Sequence, residues 1–492
     1  MQLQDLSEDE IRTIFSFCDI CAVVSMSRTN KYLRRLTLHK LVWVDLVDNL
    51  RRKGFVDRLS LSDIQAYSQE ALVDLVKRIL TGPACWNPPA KPKSNWLWST
   101  LSSHRLTESV LQITPRSSVL HPSGIRMSRR REVKLLDGGE YVLFYNINLE
   151  CWSVRHDKLV WAYDKNGPDS SVYHFDGEIV DGGDNVNIII SERGFVLPSG
   201  VASFIRIIKL NFATGRSTTL FQHELSDTGA HTLLDVKICG PLAFTLIQEW
   251  TSHSDLQDSC ILANWQTQSH VKFASMTLKS PLLVTLIPNH VLLLTDNASG
   301  VPEIRVIHTA AFSSRWRLVG SDQVLDTINI SEFETVVCEN ITFGQCERFQ
   351  RPWTRQLSAY GSPLDEGTYR VWISLAGSYP DRPSWVRGKV ICSYRLSLPK
   401  SAGHPVIWQQ RTADTAVPQE TALTPNGSDI TYSGHRQLYR DRYTVFAPGN
   451  PPHLAKFDAA DGSVYSHLST YSGALTYFSV SNENIIRVLY FE

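Results

Sequence analysis

The sequence predicts a multidomain protein in which a small α-helical unit precedes a large, entirely β region. Up to about residue 80, apolar residues recur at intervals of three and four, as on one face of a helix. From about residue 140, short runs rich in Val, Ile, Tyr, Phe and Thr are separated by Gly, Asp, Asn and Pro, which is typical of strands and turns. A proline-rich segment lies between the two patterns. We therefore predict three parts: a helical unit at 1–50, a helical and proline-rich linker at 51–125, and a β region at 126–492.

The composition indicates a globular protein without a general affinity for polyanions. The 492 residues include 49 basic and 49 acidic residues, so no net charge attracts nucleic acid or a membrane surface. The first residues lack the features of a signal peptide, and no apolar run reaches the length of about 18 residues that spans a bilayer. Nine scattered cysteines are typical of a reduced protein. We expect a cytoplasmic or nuclear location.

The first helix is predicted by its N-terminal cap. Ser7 and Glu10 have the spacing of a capping box, in which each side chain accepts a hydrogen bond from the other residue's amide. Ile11 and Phe15 follow on one apolar face. Two more short helices complete a predicted stack of three, and a fourth helix lies in the linker; these are expected at 22–28, 31–38 and 68–80.

Residues 5–46 resemble an F-box. The landmarks of that family occur in order: a leucine before the first helix, Ser-Phe-Cys-Asp at 16–19, a Ser-x-x-x-Lys element from Ser27 to Lys31, and the pair Val-Trp at 42–43. Two positions differ, since Ser7 stands where the family usually has proline and Leu33 where it usually has an aromatic residue. The resemblance implies docking on the Skp-type adaptor, and through it on the cullin, of an SCF-type ubiquitin ligase.

Carried over position by position, the resemblance implies six apolar adaptor contacts: Leu6, Ile11, Ile14, Phe15, Leu33 and Trp43. The alternative is that these side chains only form the core of a free-standing helical cap. Nine basic residues against three acidic ones between Arg28 and Arg58 would attract an acidic adaptor surface. A solvated helix face explains the same excess, so charge does not separate the two interpretations.

The β region carries a degenerate internal repeat. Segments of the form Lys-apolar-Asn/Asp-x-Ala-x-Gly start at Lys209 and Lys456, and both read as hairpin turns. They accompany apolar runs such as 141–145 and 186–190, which we expect to be central strands buried on both faces. Repeats of roughly 40 to 60 residues with several strands each predict a β-propeller-like domain of six to eight blades. A pair of stacked β-sandwiches is the alternative.

No local motif predicts a catalytic, metal or cofactor site. Cys18 and Cys21 have the spacing of a redox or zinc pair, but no second pair lies nearby and they follow a helix, so we interpret them as structural. Hydrolase, phosphate-loop and dinucleotide signatures are missing from the sequence. A basic cluster at the entry to the β region reads as a solvated loop, with nuclear import or phosphate recognition as alternatives; it consists of Arg126, Arg129, Arg130, Arg131 and Lys134.

The sequence therefore predicts a non-enzymatic substrate-recognition subunit of a ubiquitin ligase. The helical unit would bind the adaptor, the linker would set a distance, and the propeller would present an unidentified protein substrate. Two alternatives stay open: a propeller scaffold with a purely structural helical cap, and a propeller hydrolase whose residues converge from distant positions. For the first reading we expect the propeller axis to lack converging histidines and carboxylates, with substrate contacts on one rim.

Overall fold

The structure is a computed structural model of the 492-residue chain. The residues it describes are 6–81, 106–112, 132–145, 148–165, 170–196, 200–225, 231–250, 256–274, 282–296, 302–320, 327–332, 336–340, 352–378, 387–398, 407–417, 421–423, 429–433, 441–447, 453–459, 466–468, 471, 474–478 and 485–491. Within these ranges, no helix has both the length and the apolarity needed to cross a membrane.

Six short helices form the N-terminal unit: α1 (Glu8–Ser16), α2 (Ile20–Ser27), α3 (Lys31–Thr37), α4 (Lys40–Arg52), α5 (Leu61–Ala66) and α6 (Gln69–Thr81). The predicted capping box is present, since the Ser7 hydroxyl accepts from the Glu10 amide at 3.3 Å and the Glu10 carboxylate accepts from the Ser7 amide at 2.7 Å. The side chains of Asp19 and Asn30 each accept one amide hydrogen bond at the start of a later helix, and Ser60 forms a second capping box with Asp63. The prediction of a three-helix stack is wrong, because α4 follows α3 after a two-residue turn.

One apolar core joins all six helices. Phe15 of α1, Val47 of α4, Ile64 of α5 and Leu72 of α6 are fully buried in the same cluster. Burying side chains of this size contributes roughly 1.5–3 kcal/mol each relative to exposure. The predicted boundary at residue 50 therefore falls inside α4, and α5 and α6 belong to the helical unit rather than to a linker.

The rest of the described structure is β, beginning with β1 (Leu106–Gln112). Sheet 1 contains β2 (Glu132–Leu135), β3 (Tyr141–Tyr145), β4 (Leu149–Ser153) and β5 (Lys158–Ala162). Sheet 2 contains β6 (Ser171–Val180), β7 (Asn185–Val196), β8 (Gly200–Asn211) and β9 (Ser217–Leu225). Sheet 3 is built from β10 (His231–Cys239), β11 (Leu242–Trp250), β12 (Leu256–Asn264) and β13 (Ser269–Ala274).

Four more sheets follow. Sheet 4 contains β14 (Leu283–Ile287), β15 (His290–Asp296), β16 (Pro302–His308) and β19 (Val336–Asn340), and the intervening β17 (Arg317–Leu318) and β18 (Ile328–Asn329) pair with β13 of sheet 3. Sheet 5 contains β20 (Pro352–Gly361), β21 (Thr368–Ser378), β22 (Arg387–Ser397) and β23 (Ile407–Val417). Sheet 6 contains β24 (Thr421–Leu423), β25 (Asp429–Ser433), β26 (Asp441–Ala447) and β27 (His453–Ala459). Sheet 7 contains β28 (Ser466–Leu468), β29 (Leu475–Phe478) and β30 (Ile485–Phe491), with β1 as its fourth strand.

The apolar runs singled out in the sequence are strands. The run 141–145 is β3, and 186–190 lies within β7, where Ile188, Ile189 and Ile190 are all fully buried. Consecutive residues of a strand point to opposite faces, so burial of all three shows that both faces of sheet 2 are covered. The expectation of strands buried on both faces is thus confirmed for β7.

The repeated hairpin signature is confirmed where the structure describes it. In the turn after β8, the Asn211 side chain accepts from the Thr214 amide at 2.9 Å, and Gly215 has φ +66°. A Cβ on Gly215 would lie 2.5 Å from the carbonyl oxygen of Val160, so glycine is required both for the backbone and for space. The second copy, from Lys456, extends beyond the described residues.

Most neighbouring sheets share apolar packing, in the order of the chain. Shared apolar clusters join sheets 1 and 2, 2 and 3, 3 and 4, 4 and 5, and 7 and 1, and β24 of sheet 6 contacts β28 of sheet 7. Sheet 7 unites both ends of the β region, because β1 pairs antiparallel with β30 from Leu106 opposite Phe491 to Gln112 opposite Ile485. The β region therefore begins at β1, inside the segment predicted as linker.

We expect the core of the seam formed by β1 and β30 to carry much of the β region's stability. Ile486 and Ile485 are neighbours on β30, but Ile486 is fully buried between sheets 7 and 1, whereas Ile485 is only half-buried. Ile486→Ala should lower the free energy of unfolding by about 2–5 kcal/mol, as for other buried Ile to Ala changes. Ile485→Ala should cost clearly less in the same urea titration. Equal losses would contradict the packing described here.

Candidate protein-interaction surface

Exposed apolar side chains are concentrated on the helical unit. Of the eight large hydrophobic residues that are exposed in the described structure, six belong to it: Ile14, Phe17, Tyr32, Leu38, Leu41 and Leu61. Phe17 is 86% exposed and Leu41 is 58% exposed. Apolar residues scattered singly over a surface are normal, but a concentration in one small unit is typical of an interaction site. We refer to the five at positions 14, 17, 32, 38 and 41 as the exposed apolar set.

Four of the six residues predicted to contact an adaptor lie in the helical core instead. Ile11, Phe15, Leu33 and Trp43 are buried, and the Trp43 indole donates to the Thr37 carbonyl oxygen at 2.9 Å. In this packing they hold the helices together and are not accessible to a partner. Their prediction as direct contacts is therefore corrected to a structural role.

The remaining two predicted residues are accessible to different degrees. Leu6 is partly buried against the core, while Ile14 is 37% exposed. Sequence reasoning missed Phe17, Leu38 and Leu41, which lie at the end of α1, the end of α3 and the start of α4. Helical periodicity could have identified them, because apolar residues that lie outside the periodic apolar face of a helix do not contribute to its core.

Basic residues accompany the three members of the exposed apolar set that lie at positions 32, 38 and 41. No acidic residue occurs from Arg28 to Leu41, whereas five basic residues in that span are exposed: Arg28, Lys31, Arg34, Arg35 and Lys40. The Arg35 guanidinium lies 5.5 Å from the centre of the Tyr32 ring and also pairs with Glu8 of α1. An apolar surface with basic residues beside it complements a partner that is apolar and acidic.

The helical unit also contacts the β region directly. The Cys21 amide donates to the Leu364 carbonyl oxygen at 3.2 Å. The Phe55 ring packs edge-on against Tyr471, with ring centres 4.5 Å apart, and Tyr471 donates to the Gly361 carbonyl oxygen at 2.6 Å. These contacts leave the exposed apolar set uncovered, because its residues are exposed with both units present.

The turns of the β region that contact the helical unit all occupy the same position within their sheets. They are the turns between β2 and β3, β6 and β7, β20 and β21, and β28 and β29. Each joins the first strand of a sheet to the second, so the helical unit lies across one end of sheets 1, 2, 5 and 7. The linker at 51–125 was predicted to set a distance between the two units. Instead, residues 53–58 contact the sheets directly, and α5 and α6 pack in the helical core. The proline-rich segment lies outside the described residues.

Charged groups converge on the first strands of sheets 1 to 3. Lys134 of β2 pairs with Asp176 of β6, which also accepts from the Ile238 amide of β10 at 3.2 Å. Glu178 accepts from the Gly240 amide at 2.7 Å. These are one ion pair and two carboxylate–amide hydrogen bonds between strands of different sheets, and the expectation that histidines and carboxylates do not converge at a propeller axis stays a prediction. Within the described ranges, no three His, Cys, Asp or Glu side chains are placed to share a metal ion.

Lys134 does not belong to a surface loop, as the basic cluster at 126–134 suggested. It lies in β2 with its ammonium directed at Asp176, and the four arginines of that cluster lie outside the described residues. Burial and the nearby Lys237 lower the Lys134 pKa to about 8. Asp176, in direct contact, favours the charged form of the lysine. Sequence reasoning missed this group because its members are distant along the chain.

Asp137 lies at the turn between β2 and β3, beside the helical unit. Desolvation raises its pKa to about 6, and the Lys134 ammonium opposes that shift. The side chain nevertheless keeps an exposed surface, so solvent screening reduces the effect of the shift on stability.

Comparisons with known proteins identify no family. No family model matches the sequence, and no curated protein matches it. Among solved structures, Sqt1 of Saccharomyces cerevisiae is 9% identical with a TM-score of 0.32, covering 72% of this chain and 93% of its own. Drosophila Semaphorin 1a is 7% identical with a TM-score of 0.25, covering 72% and 88%. Prolyl oligopeptidase B from Galerina marginata is 11% identical with a TM-score of 0.29, and the match spans 64% of this chain but only 38% of the peptidase.

We predict that Asp137 makes the stability of the protein depend on pH. A carboxyl whose pKa is raised in the folded state stabilises that state only while it is protonated. Its contribution is therefore present below about pH 4 and lost as the pH rises through about 6. Relative to Asp137→Asn, the wild type should lose urea resistance between pH 4 and pH 7. A constant difference between the two proteins over this range would contradict the assignment.

Proposed function

We propose that the chain is a substrate-recognition subunit of an SCF-type cullin-RING ubiquitin ligase. In this proposal the helical unit is an F-box that binds a Skp-type adaptor, and the β region binds the protein to be ubiquitinated. The observation that supports it most directly is the exposed apolar set on the helical unit. The order of the F-box landmarks at 5–46 supports the same partner, since the residues between them fold as the helices that carry this surface.

The docking mode differs from the one that the sequence suggested. The contacts would come from Ile14, Phe17 and Leu41, while the buried landmark residues keep the helices in register. Arg34 and Arg35 would face acidic groups of the adaptor, which increases the association rate more than the final affinity. Apolar anchors of this kind commonly contribute 2 kcal/mol or more each to a protein–protein interface.

We further propose that the seven sheets are the blades of a closed β-propeller. Packing of successive sheets in chain order, and the completion of sheet 7 by β1, are what such closure requires. The helical unit touches sheets 1, 2, 5 and 7, which come from the beginning, the later part and the end of the β region and would lie around one end of a ring. Seven blades agree with the range of six to eight expected from the repeat.

In this proposal the protein performs no bond chemistry. A ligase subunit of this type raises the effective concentration of substrate lysines near the ubiquitin-carrying enzyme that other subunits supply. The competing candidate is a scaffold whose helical cap is purely structural. It is favoured by one observation, the burial of Ile11, Phe15, Leu33 and Trp43, but it gives no reason for the exposure of Phe17 or Leu41.

Binding to a Skp-type adaptor tests the proposal with the purified full-length chain. Phe17→Asp should weaken binding at least thirtyfold, because about 2 kcal/mol corresponds to that factor. Since Phe17 is 86% exposed, its replacement should leave the melting temperature within about 2 °C of the wild type. Isothermal titration calorimetry or biolayer interferometry gives the dissociation constants.

Leu318→Asp is the matched control for that experiment. Leu318 is 66% exposed and lies on β17 of the β region, so its replacement also puts a carboxylate in place of an exposed apolar side chain, but outside the helical unit. It should bind the adaptor like the wild type. Absence of wild-type binding, or equal loss in both variants, would favour the scaffold over the ligase subunit.

A further inference from the structure

The helical unit makes a second set of contacts that does not involve the exposed apolar set. The segment Gly54–Arg58, which follows α4, pairs with the turn Asp137–Gly139 of sheet 1. The Gly138 amide donates to the Gly54 carbonyl oxygen at 3.1 Å, and the Arg58 amide donates to the Gly138 carbonyl oxygen at 2.9 Å. We name these two paired segments the clasp.

The clasp is built from two reciprocal pairs of a glycine and an aspartate. A Cβ on Gly54 would lie 2.6 Å from the Asp137 Cβ, and a Cβ on Gly139 would lie 2.9 Å from the Asp57 Cβ. Each glycine thus leaves the space that the aspartate of the other segment fills. Both glycines also have positive φ, +78° and +67°, which other residues rarely adopt. Neither segment can take a larger residue at these positions without moving the other.

Arg58 extends the clasp to the two strands that join the ends of the β region. Its guanidinium donates to the Ser109 hydroxyl of β1 at 3.2 Å and lies 4.6 Å from the centre of the Tyr490 ring of β30. Tyr490 in turn donates to the Gly139 carbonyl oxygen. One side chain of the helical unit therefore contacts β1, β30 and, through Tyr490, the turn of sheet 1.

We propose that the helical unit has a second function: it fastens the seam at which the chain's first and last strands close the β region. β1 and β30 belong to sheet 7. The clasp, with Arg58, links sheet 7 to sheet 1, whose first strand β2 is the next strand after β1 in the chain. Because Arg58 contacts both strands, β1 and β30 cannot separate without the loss of at least one of its two contacts. The helical unit is thus a structural component of the β region's closure, whether or not it binds an adaptor.

Amide hydrogen exchange of the full-length chain tests this function. Gly54→Ala should open the clasp, because its methyl group meets Asp137. Gly138→Ala is the matched control, since Gly138 has a similar φ of +84° but no atom within 4 Å of its Cβ position, so the two variants share backbone strain and differ in steric contact. We expect exchange in β1 and β30 to rise at least tenfold more in Gly54→Ala than in Gly138→Ala, with β15 unchanged.

A second pair of variants keeps the test informative if Gly54→Ala does not fold. Arg58→Ala removes the contacts with Ser109 and Tyr490 while retaining the backbone pairing, and Arg317→Ala removes an exposed arginine from sheet 3. Only the former should increase exchange in β1 and β30, and Arg58→Lys should recover part of the protection because a lysine ammonium still binds an aromatic face. Equal exchange in the two alanine variants, or a rise spread evenly over all sheets, would falsify the proposal.

The test separates this function from the proposed ligase role. It measures protection in the absence of any adaptor, so failure of adaptor binding leaves its outcome unaffected. Conversely, Phe17→Asp should weaken adaptor binding without changing exchange in β1 or β30, because Phe17 is exposed and lies outside the clasp.

Discussion

The pairing of β1 with β30 is the constraint on which the β region depends. Every other sheet is made of strands from one stretch of chain, with the short β17 and β18 as additions. In sheet 7, by contrast, β1 is separated in sequence from β28, β29 and β30 by the strands of all six other sheets. The contact of Tyr490 with Gly139 joins residues 351 positions apart. Contacts at such separation carry a large loop-closure entropy and form late in folding. The seam is therefore the place where further contacts have the greatest effect.

The helical unit supplies such contacts because of where it lies in the chain. It precedes β1 in the chain, and its segment at 54–58 contacts the turn after β2. Gly54 and Gly139, both with positive φ, allow the backbones of the two segments to approach each other closely. Arg58 then contacts both β1 and β30. The backbone pairing of the clasp positions Arg58. The contacts that hold β1 and β30 together therefore depend partly on the folding of the helical unit, which contributes no strand to the described sheets.

Local features of the structure follow from the sequence, and assembly does not. The Ser7 cap and the strand at 141–145 were predicted because a capping box and a bounded apolar run depend on neighbouring residues alone. Periodicity likewise identified Ile11 and Phe15 as one face of a helix. It did not show that α3 and α4 pack against α1, and so the resemblance to a family assigned these buried residues to a partner. Lys134 was misplaced for the same reason, because its ion pair joins strands of two different sheets.

The direct contact between the two units bears on how a ligase subunit would work. A substrate held by a flexible tether samples many distances from the ubiquitin-carrying enzyme, and its effective concentration falls as the tether lengthens. Here Phe15, beside the exposed apolar set, and Tyr471, in a turn of sheet 7, belong to one apolar core. A partner bound at Phe17 would thus be fixed in orientation relative to the β sheets by packing rather than by the proline-rich segment. In the proposed ligase, coupling of this kind would restrict which substrate lysines are reached, because only those presented at a suitable position relative to the sheets would come within range.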